Sequence, residues 1–225
     1  MMFVARVVHV LVAALSFAHS SALATPAPRT LIAQIESLSK EVRGGAAATP
    51  AQTAEMARLV SLLEESQPRE ARSAAACQGT WSQIYCDNPA AGTTWGDGKT
   101  SRRKMIGRIT GRVTQVVLPD EAGLTTSYQQ RATFGRVLLE ARLVAIVQPQ
   151  PEDDCTWSVD FESFSWRAAG GLLPLRSRPM PPGRGGTWRN TYADETCRVM
   201  RAGNRRGDGK ETLYVLRRLA RAAVE

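Results

Sequence analysis

The hydrophobic period changes once along this chain, and that change limits the folds open to it. From Thr30 to Pro68 apolar residues recur at helical spacing. Leu31, Ile35, Leu38 and Val42 step by four, three and four, and Met56, Leu59, Val60 and Leu63 form a second stripe. Arg43-Gly44-Gly45 is a glycine stop signal, and Thr49-Pro50 supplies a cap and a first-turn proline for the next helix. Beyond Ala76 the period becomes two. Gly79 to Tyr85, Lys104 to Leu118, Thr125 to Phe134, Arg136 to Val147, Cys155 to Phe161, Thr187 to Ala202 and Glu211 to Leu219 all read as strands. A helical hairpin followed by short strands with turn signals between them fits an antiparallel sandwich or barrel. The stretch from Ala168 to Gly186, rich in Gly, Pro and Arg, reads as a loop or lid. Its single GRGG, without repeats or interleaved aromatics, does not make a nucleic-acid site.

The N-terminus is of another kind. The first 29 residues carry no Asp or Glu, begin basic at Arg6 and His9, and hold an apolar run from Val7 to Ala18. That run is shorter than the ~20 residues a membrane span needs. Ala22-Leu23-Ala24 follows as a cleavage-like site, so residues 1–24 read as a signal-type presequence, with an organelle transit segment as the alternative. The chain then divides into a helical segment over 25–76 and a β-domain over 77–225.

This division removes much chemistry. The sequence has 2 histidines, His9 and His19, and both lie in the presequence. The remainder offers no Ser–His or Cys–His nucleophile and no histidine-ligated metal. The 4 cysteines, Cys77, Cys86, Cys155 and Cys197, show no C-x-x-C spacing. Cys77 and Cys86 stand too far apart along one strand to pair. Cys155 and Cys197 read either as a cross-strand pair in an oxidising compartment or as buried thiols. Of the carboxylate clusters, Glu152-Asp153-Asp154 reads as a loop tip. Asp194 precedes Arg198 and Arg201 in what reads as one strand, with Asp194, Thr196 and Arg198 on one side, so the expected role is a structural ion pair in a hairpin. No catalytic residue, cofactor or metal is expected. The net charge of +8 favours anionic partners, whether acidic membranes, acidic proteins or nucleic acid, and its spread as scattered arginines reads as surface character rather than as a binding site.

The aromatic positions suggest more. Trp81, Tyr85, Phe134, Trp157, Phe161, Trp188, Tyr192 and Tyr214, with Val113 and Val159, fall at inward-compatible positions on most of the expected strands. They are the expected lining of a closed sheet, which either fills the core or surrounds one lipid-like ligand.

Several blocks together resemble the plastid lipid-associated protein (plastid fibrillin) family. They are the helical stretch Leu31 to Leu38 with Arg43-Gly44 and Thr49-Pro50, then Leu63-Glu64, then Gly79-Thr80-Trp81 through Tyr85. IGRITGRVTQVV, Ile106 to Val117, is similar to the family's next strand. Thr191-Tyr192-Ala193-Asp194-Glu195, then Cys197-Arg198-Val199 and Arg201, then Leu213-Tyr214-Val215-Leu216, resembles its closing block, with Ala193 and Cys197 where the family has Leu. The resemblance covers 30–218 and matches poorly over Gly92 to Arg103 and 168–186. It implies a lipocalin-like β-barrel behind the helical hairpin, with no catalytic residues. It also implies binding or organisation of prenyl lipids such as carotenoids and quinones at thylakoid or plastoglobule surfaces. On that reading Gly79 turns the chain into the first strand, Trp81 plugs the closed end, and Arg217 or Arg218 stacks on it by cation–π contact. The expected partners are an apolar lipid or isoprenoid ligand and an acidic membrane or lipid-droplet surface. A lipid-synthesising enzyme bound by a filled barrel is the alternative. The presequence then implies a plastid address of the secondary-plastid kind, with a secreted or endomembrane protein as the other reading.

Overall fold

The computed structural model describes residues 26–67, 73–88, 113–119, 121, 125–134, 139–168, 172–203 and 210–219. The expected presequence 1–24, the stretch Lys104 to Arg112 and the poorly matching segment 92–103 lie outside the described residues.

Two helices come first, α1 over Pro28–Glu41 and α2 over Pro50–Glu65. Each starts on a proline, whose missing N–H costs nothing in a first turn. Thr49 and Gln52 close a reciprocal capping box on α2. The predicted stripes are the buried faces: Leu31, Ile35, Met56, Leu59, Val60 and Leu63 are all buried. Between the helices Arg43, Gly44 and Gly45 take positive φ values of 51°, 67° and 100°. This left-handed passage reverses the chain against the first strand.

Nine strands follow among the described residues: β1 Gly79–Cys86, β2 Val113–Pro119, β3 Thr125–Phe134, β4 Leu139–Gln150, β5 Asp153–Ala168, β6 Leu173–Pro179, β7 Gly185–Ala193, β8 Cys197–Gly203 and β9 Glu211–Arg218. They form one antiparallel sheet in the order β4-β3-β2-β1-β9-β8-β7-β5-β6, and β4 also pairs with β5. The β4–β5 pairing closes eight strands into a ring, and β6 extends β5 as a flap outside it. Closure leaves no free edge among those eight strands.

Three sequence expectations change here. The run Thr187 to Ala202 is two strands, because Asp194 ends β7 and turns the chain. The stretch 168–186 is not simply a loop, since Leu173–Pro179 pairs with β5 from Ser163 to Ala168. Every residue of β6 is exposed, so no hydrophobic alternation marked it. A Cys155–Cys197 pair is excluded, because Cys197 faces the helices while Cys155 lies beside Cys77. All four cysteines are buried and none is in a disulfide.

The sheet has two apolar faces. Trp81, Val117, Tyr128, Ala145, Val147, Trp157, Val159, Trp188, Met200 and Leu216 come from all eight ring strands and meet in one interior cluster. On the outer face Tyr85, Tyr192, Cys197, Val199, Leu213 and Val215 pack under α1 and α2. Polar contacts fix the helices there. The Glu64 carboxylate accepts two bonds from Arg201, each 2.9 Å, and one from Thr191 at 2.5 Å. The Gln67 side chain pairs with the Ala193 backbone in both directions, at 2.7 and 2.9 Å.

The glycine turn between the helices is a tight point. A Cβ on Gly45 would stand 2.0 Å from the Cys86 carbonyl oxygen at φ +100°, whereas one on Gly183, at φ +76°, would meet nothing within 4 Å. Gly183→Ala therefore costs only its left-handed backbone, about 1 kcal/mol, and Gly45→Ala about 2–4 kcal/mol because helix turn and strand must separate. Urea unfolding of the two variants checks this. Equal losses would show that the turn leaves β1 without penalty.

Candidate functional site

The interior of the ring gathers the groups with chemical potential. Trp81, fully buried, donates its indole N–H to the Cys77 carbonyl at 2.8 Å. Cys77 ends a 3₁₀ turn, Ala75–Cys77, that leads into β1. Arg218 at the end of β9 lies over the Trp81 ring at 4.2 Å and donates to the carbonyls of Ala76 and Gln78 at 2.8 and 2.9 Å. Of the two arginines considered from the sequence, Arg218 is the one that stacks. Gly79, at φ +117°, passes under that side chain.

Arg198 is the second guanidinium in this region and is fully buried. It projects inward from β8 while its neighbours Cys197 and Val199 face the helices. Its Nε donates to Asn190 Oδ1 at 2.7 Å, and Asn190 in turn donates to the Cys155 carbonyl at 2.9 Å. Nη2 meets the Met200 sulfur at 3.5 Å, and the cation lies 4.9 Å from the Trp157 ring centre and 6.0 Å from that of Trp81. Nη1 has no partner. Among the described residues no carboxylate reaches Arg198, and burial pulls its pKa below the ordinary guanidinium value. Gln115, opposite Trp81 in register, is also fully buried, and neither its amide oxygen nor its amide nitrogen has a partner.

Burial pushes the phenol of Tyr128 far above its usual range. The Cys77 thiol is held low, chiefly by its hydrogen bond with Cys155, with the charges of Arg198 and Arg218 helping. The same bond drives the Cys155 thiol up.

The residues singled out from the sequence divide between the two faces. Trp81, Trp157 and Val159 are fully buried in the interior, and Phe161 and Tyr214 pack against the same cluster. Val113 joins Ala132, Ala141, Leu143 and Phe164 in a smaller inward group. Phe134 pairs with Leu139 at the end of β3, and its side chain lies outside the described residues. Tyr85 and Tyr192 do not line the interior; both lie under the helices. In each case a β-bulge intervenes, between Gln83 and Tyr85 in β1 and between Asn190 and Tyr192 in β7. One extra residue reverses the alternation, so a side chain two or four positions from an inward one points outward.

The expected Asp194–Arg198 ion pair is likewise absent. Asp194 Oδ1 accepts the backbone N–H groups of Thr196 and Cys197 at 2.6 and 2.7 Å and the Thr196 hydroxyl at 2.9 Å, while Oδ2 accepts the Tyr192 hydroxyl at 2.7 Å. Local turn bonding of this kind competes with strand continuation. Arg201 pairs with Glu64 on α2 instead of within the hairpin.

Asp153, Asp154 and Cys155 place ligand-type atoms within 4.8 Å of one another. The two carboxylates take protein donors, Asp153 from Thr156 at 2.8 Å and Asp154 from the Ala74 N–H at 3.0 Å. Sequence reasoning missed Gln115 and Asn190. Their polar side chains at inward positions of otherwise apolar strands are the signal that marks them. No protein-family model matches the chain, and neither curated proteins nor solved structures give a significant match.

Burial works against ionisation of Asp194, but the hydrogen bonds from Tyr192, Thr196 and Cys197 outweigh it and hold its pKa below the ordinary carboxylate value. A lowered native pKa adds stability above the unfolded value of about 3.9, which fades as pH falls through the native one. Asp194→Ala is expected to cost about 1–2 kcal/mol at pH 7, with the gap to wild type narrowing below about pH 4. Denaturant titrations at the two pH values check it. A constant gap would mean that the carboxylate charge plays no part.

Proposed function

We propose that this chain is a non-enzymatic lipid-binding protein of the plastid fibrillin type. Its ring acts as a lipocalin-like β-barrel that binds or organises apolar prenyl lipids, such as carotenoids and quinones, at the surface of a plastid membrane or lipid droplet. The address follows from the presequence reading, with a secreted or endomembrane location as the alternative.

The observation that carries this reading is the flap. Among the described residues β6 pairs only with β5, and Leu172 just before it and Leu173 and Leu175 on it are 79%, 58% and 60% exposed. Arg176 and Arg178 follow on the same strand, both exposed. Apolar side chains followed at once by cations suit the interface of an acidic lipid layer, where leucines enter the acyl region and each arginine adds about 1 kcal/mol near the surface. The inward-facing aromatic residues supply the complementary half, an apolar lining.

A second reading, a scaffold that binds a lipid-synthesising enzyme, draws on the same exposed leucines and on the four large rings of Trp81, Tyr128, Trp157 and Trp188 that occupy one end of the interior.

Two measurements separate the readings. Protein mixed with a plastid lipid extract and re-isolated without detergent should carry a prenyl lipid near one equivalent by mass spectrometry. It should also sediment with vesicles containing a fifth phosphatidylglycerol, and Leu172→Ser/Leu173→Ser/Leu175→Ser should lose about tenfold or more of that binding. Empty protein that ignores the vesicles would turn the search to a protein partner.

A further inference from the structure

Arg198 poses a problem that the other described residues do not solve. A guanidinium fully out of water keeps its charge at a large solvation cost unless an anion meets it. Here the groups around it are two indoles, an amide and a thioether, with the Cys77 and Cys155 thiols and the Tyr128 phenol near enough to feel its charge, and among the described residues one of its nitrogens is unused. Indole faces attract a cation only weakly compared with a carboxylate. Arg218 cannot share the task, since it carries the same charge and spends both terminal nitrogens on the carbonyls of Ala76 and Gln78. Gln115 repeats the pattern as an amide with unmatched donor and acceptor on the same inward surface.

We propose that the interior of the ring takes an amphiphile with a carboxylate head, bound by the Arg198 guanidinium through Nη1 with the Gln115 amide as second donor. This rests on the reading that the interior holds a lipid, and it replaces a neutral ligand with an acidic one. Arg218 also keeps an unpaired Nε among the described residues, but its terminal nitrogens hold two carbonyls, so Arg198 Nη1 is the terminal donor left for a head group, and one carboxylate matches it. A phosphate near two charges would leave an excess buried. The apolar tail has a path. From Tyr128 and Ala145, paired across β3 and β4, the inward positions continue through Leu143 to Ala132 opposite Ala141. Three alanines along this line keep its side-chain volume small, with Gln130, which accepts the Tyr128 hydroxyl at 3.1 Å, as the polar member beside Leu143. The head is thus held at the end closed by Trp81 and Arg218, and the tail extends towards Val113.

The test uses delipidated protein and a fluorescent long-chain probe, cis-parinaric acid, compared with its methyl ester. Wild type is expected to bind the acid about tenfold or more tightly than the ester. Arg198→Met, which keeps length and removes charge, should bring the acid down to the ester's affinity and leave the ester unchanged. Equal affinities in wild type, with both probes bound, would overturn the carboxylate anchor while the lipid reading stands. Binding of neither probe would overturn both. Should Arg198→Met fail to fold, the two wild-type titrations decide alone.

Discussion

Closure of the ring depends on what surrounds the indole of Trp81. The ring's sequence-distant ends, β1 and β9, meet in antiparallel pairing with Trp81 opposite Arg218. The indole N–H ties the turn before β1 to the strand, and the Arg218 guanidinium covers the ring face while holding two carbonyls of that turn. Next to it the Arg218 N–H reaches the Thr196 carbonyl, and the Leu219 N–H the Thr80 carbonyl, both at 2.8 Å. Burying an indole of this size contributes about 3 kcal/mol and the cation above it about 1 kcal/mol more. That sum is a large part of the net stability of about 5–15 kcal/mol that an ordinary domain retains. A side chain that joins turn, first strand and last strand decides whether the sheet is a ring or an open ribbon.

The helices were legible because their signals are local. Proline starts, a capping box and a four-three-four stripe act within a few residues, and they predicted the buried faces of both helices. Strand positions were legible for the same reason, through alternation. What failed was parity. Tyr85 and Tyr192 looked inward when counted from Trp81 and Trp188, and one bulged residue in each strand turned them towards the helices. A bulge is dictated by how two strands meet, so a single strand's sequence does not reveal it. The turn at Asp194 was hidden differently: its carboxylate satisfies the backbone in place of a strand partner, and the surrounding residues read as continuous β. β6 was invisible because it buries no face, and the Arg201–Glu64 pair because its members lie 137 residues apart.

The distribution of polar residues between the two faces bears on what the ring is for. Under the helices, β8 and β9 present Cys197, Val199, Leu213 and Val215, an apolar set whose burial needs no partner beyond α1 and α2. The inward positions of the same region carry Arg198, Asn190 and Gln115, which are costly to desolvate. A ring selected only to be filled would place its polar residues outside, where water satisfies them. This one places them inside, near Trp81, and among the described residues leaves Arg198 Nη1 and both polar atoms of the Gln115 amide unsatisfied. Replacing such groups with well-packed apolar ones is commonly neutral or stabilising by a few kcal/mol. Their presence is therefore a standing expense to the fold, of the kind that a ligand with a matching head group would offset on binding.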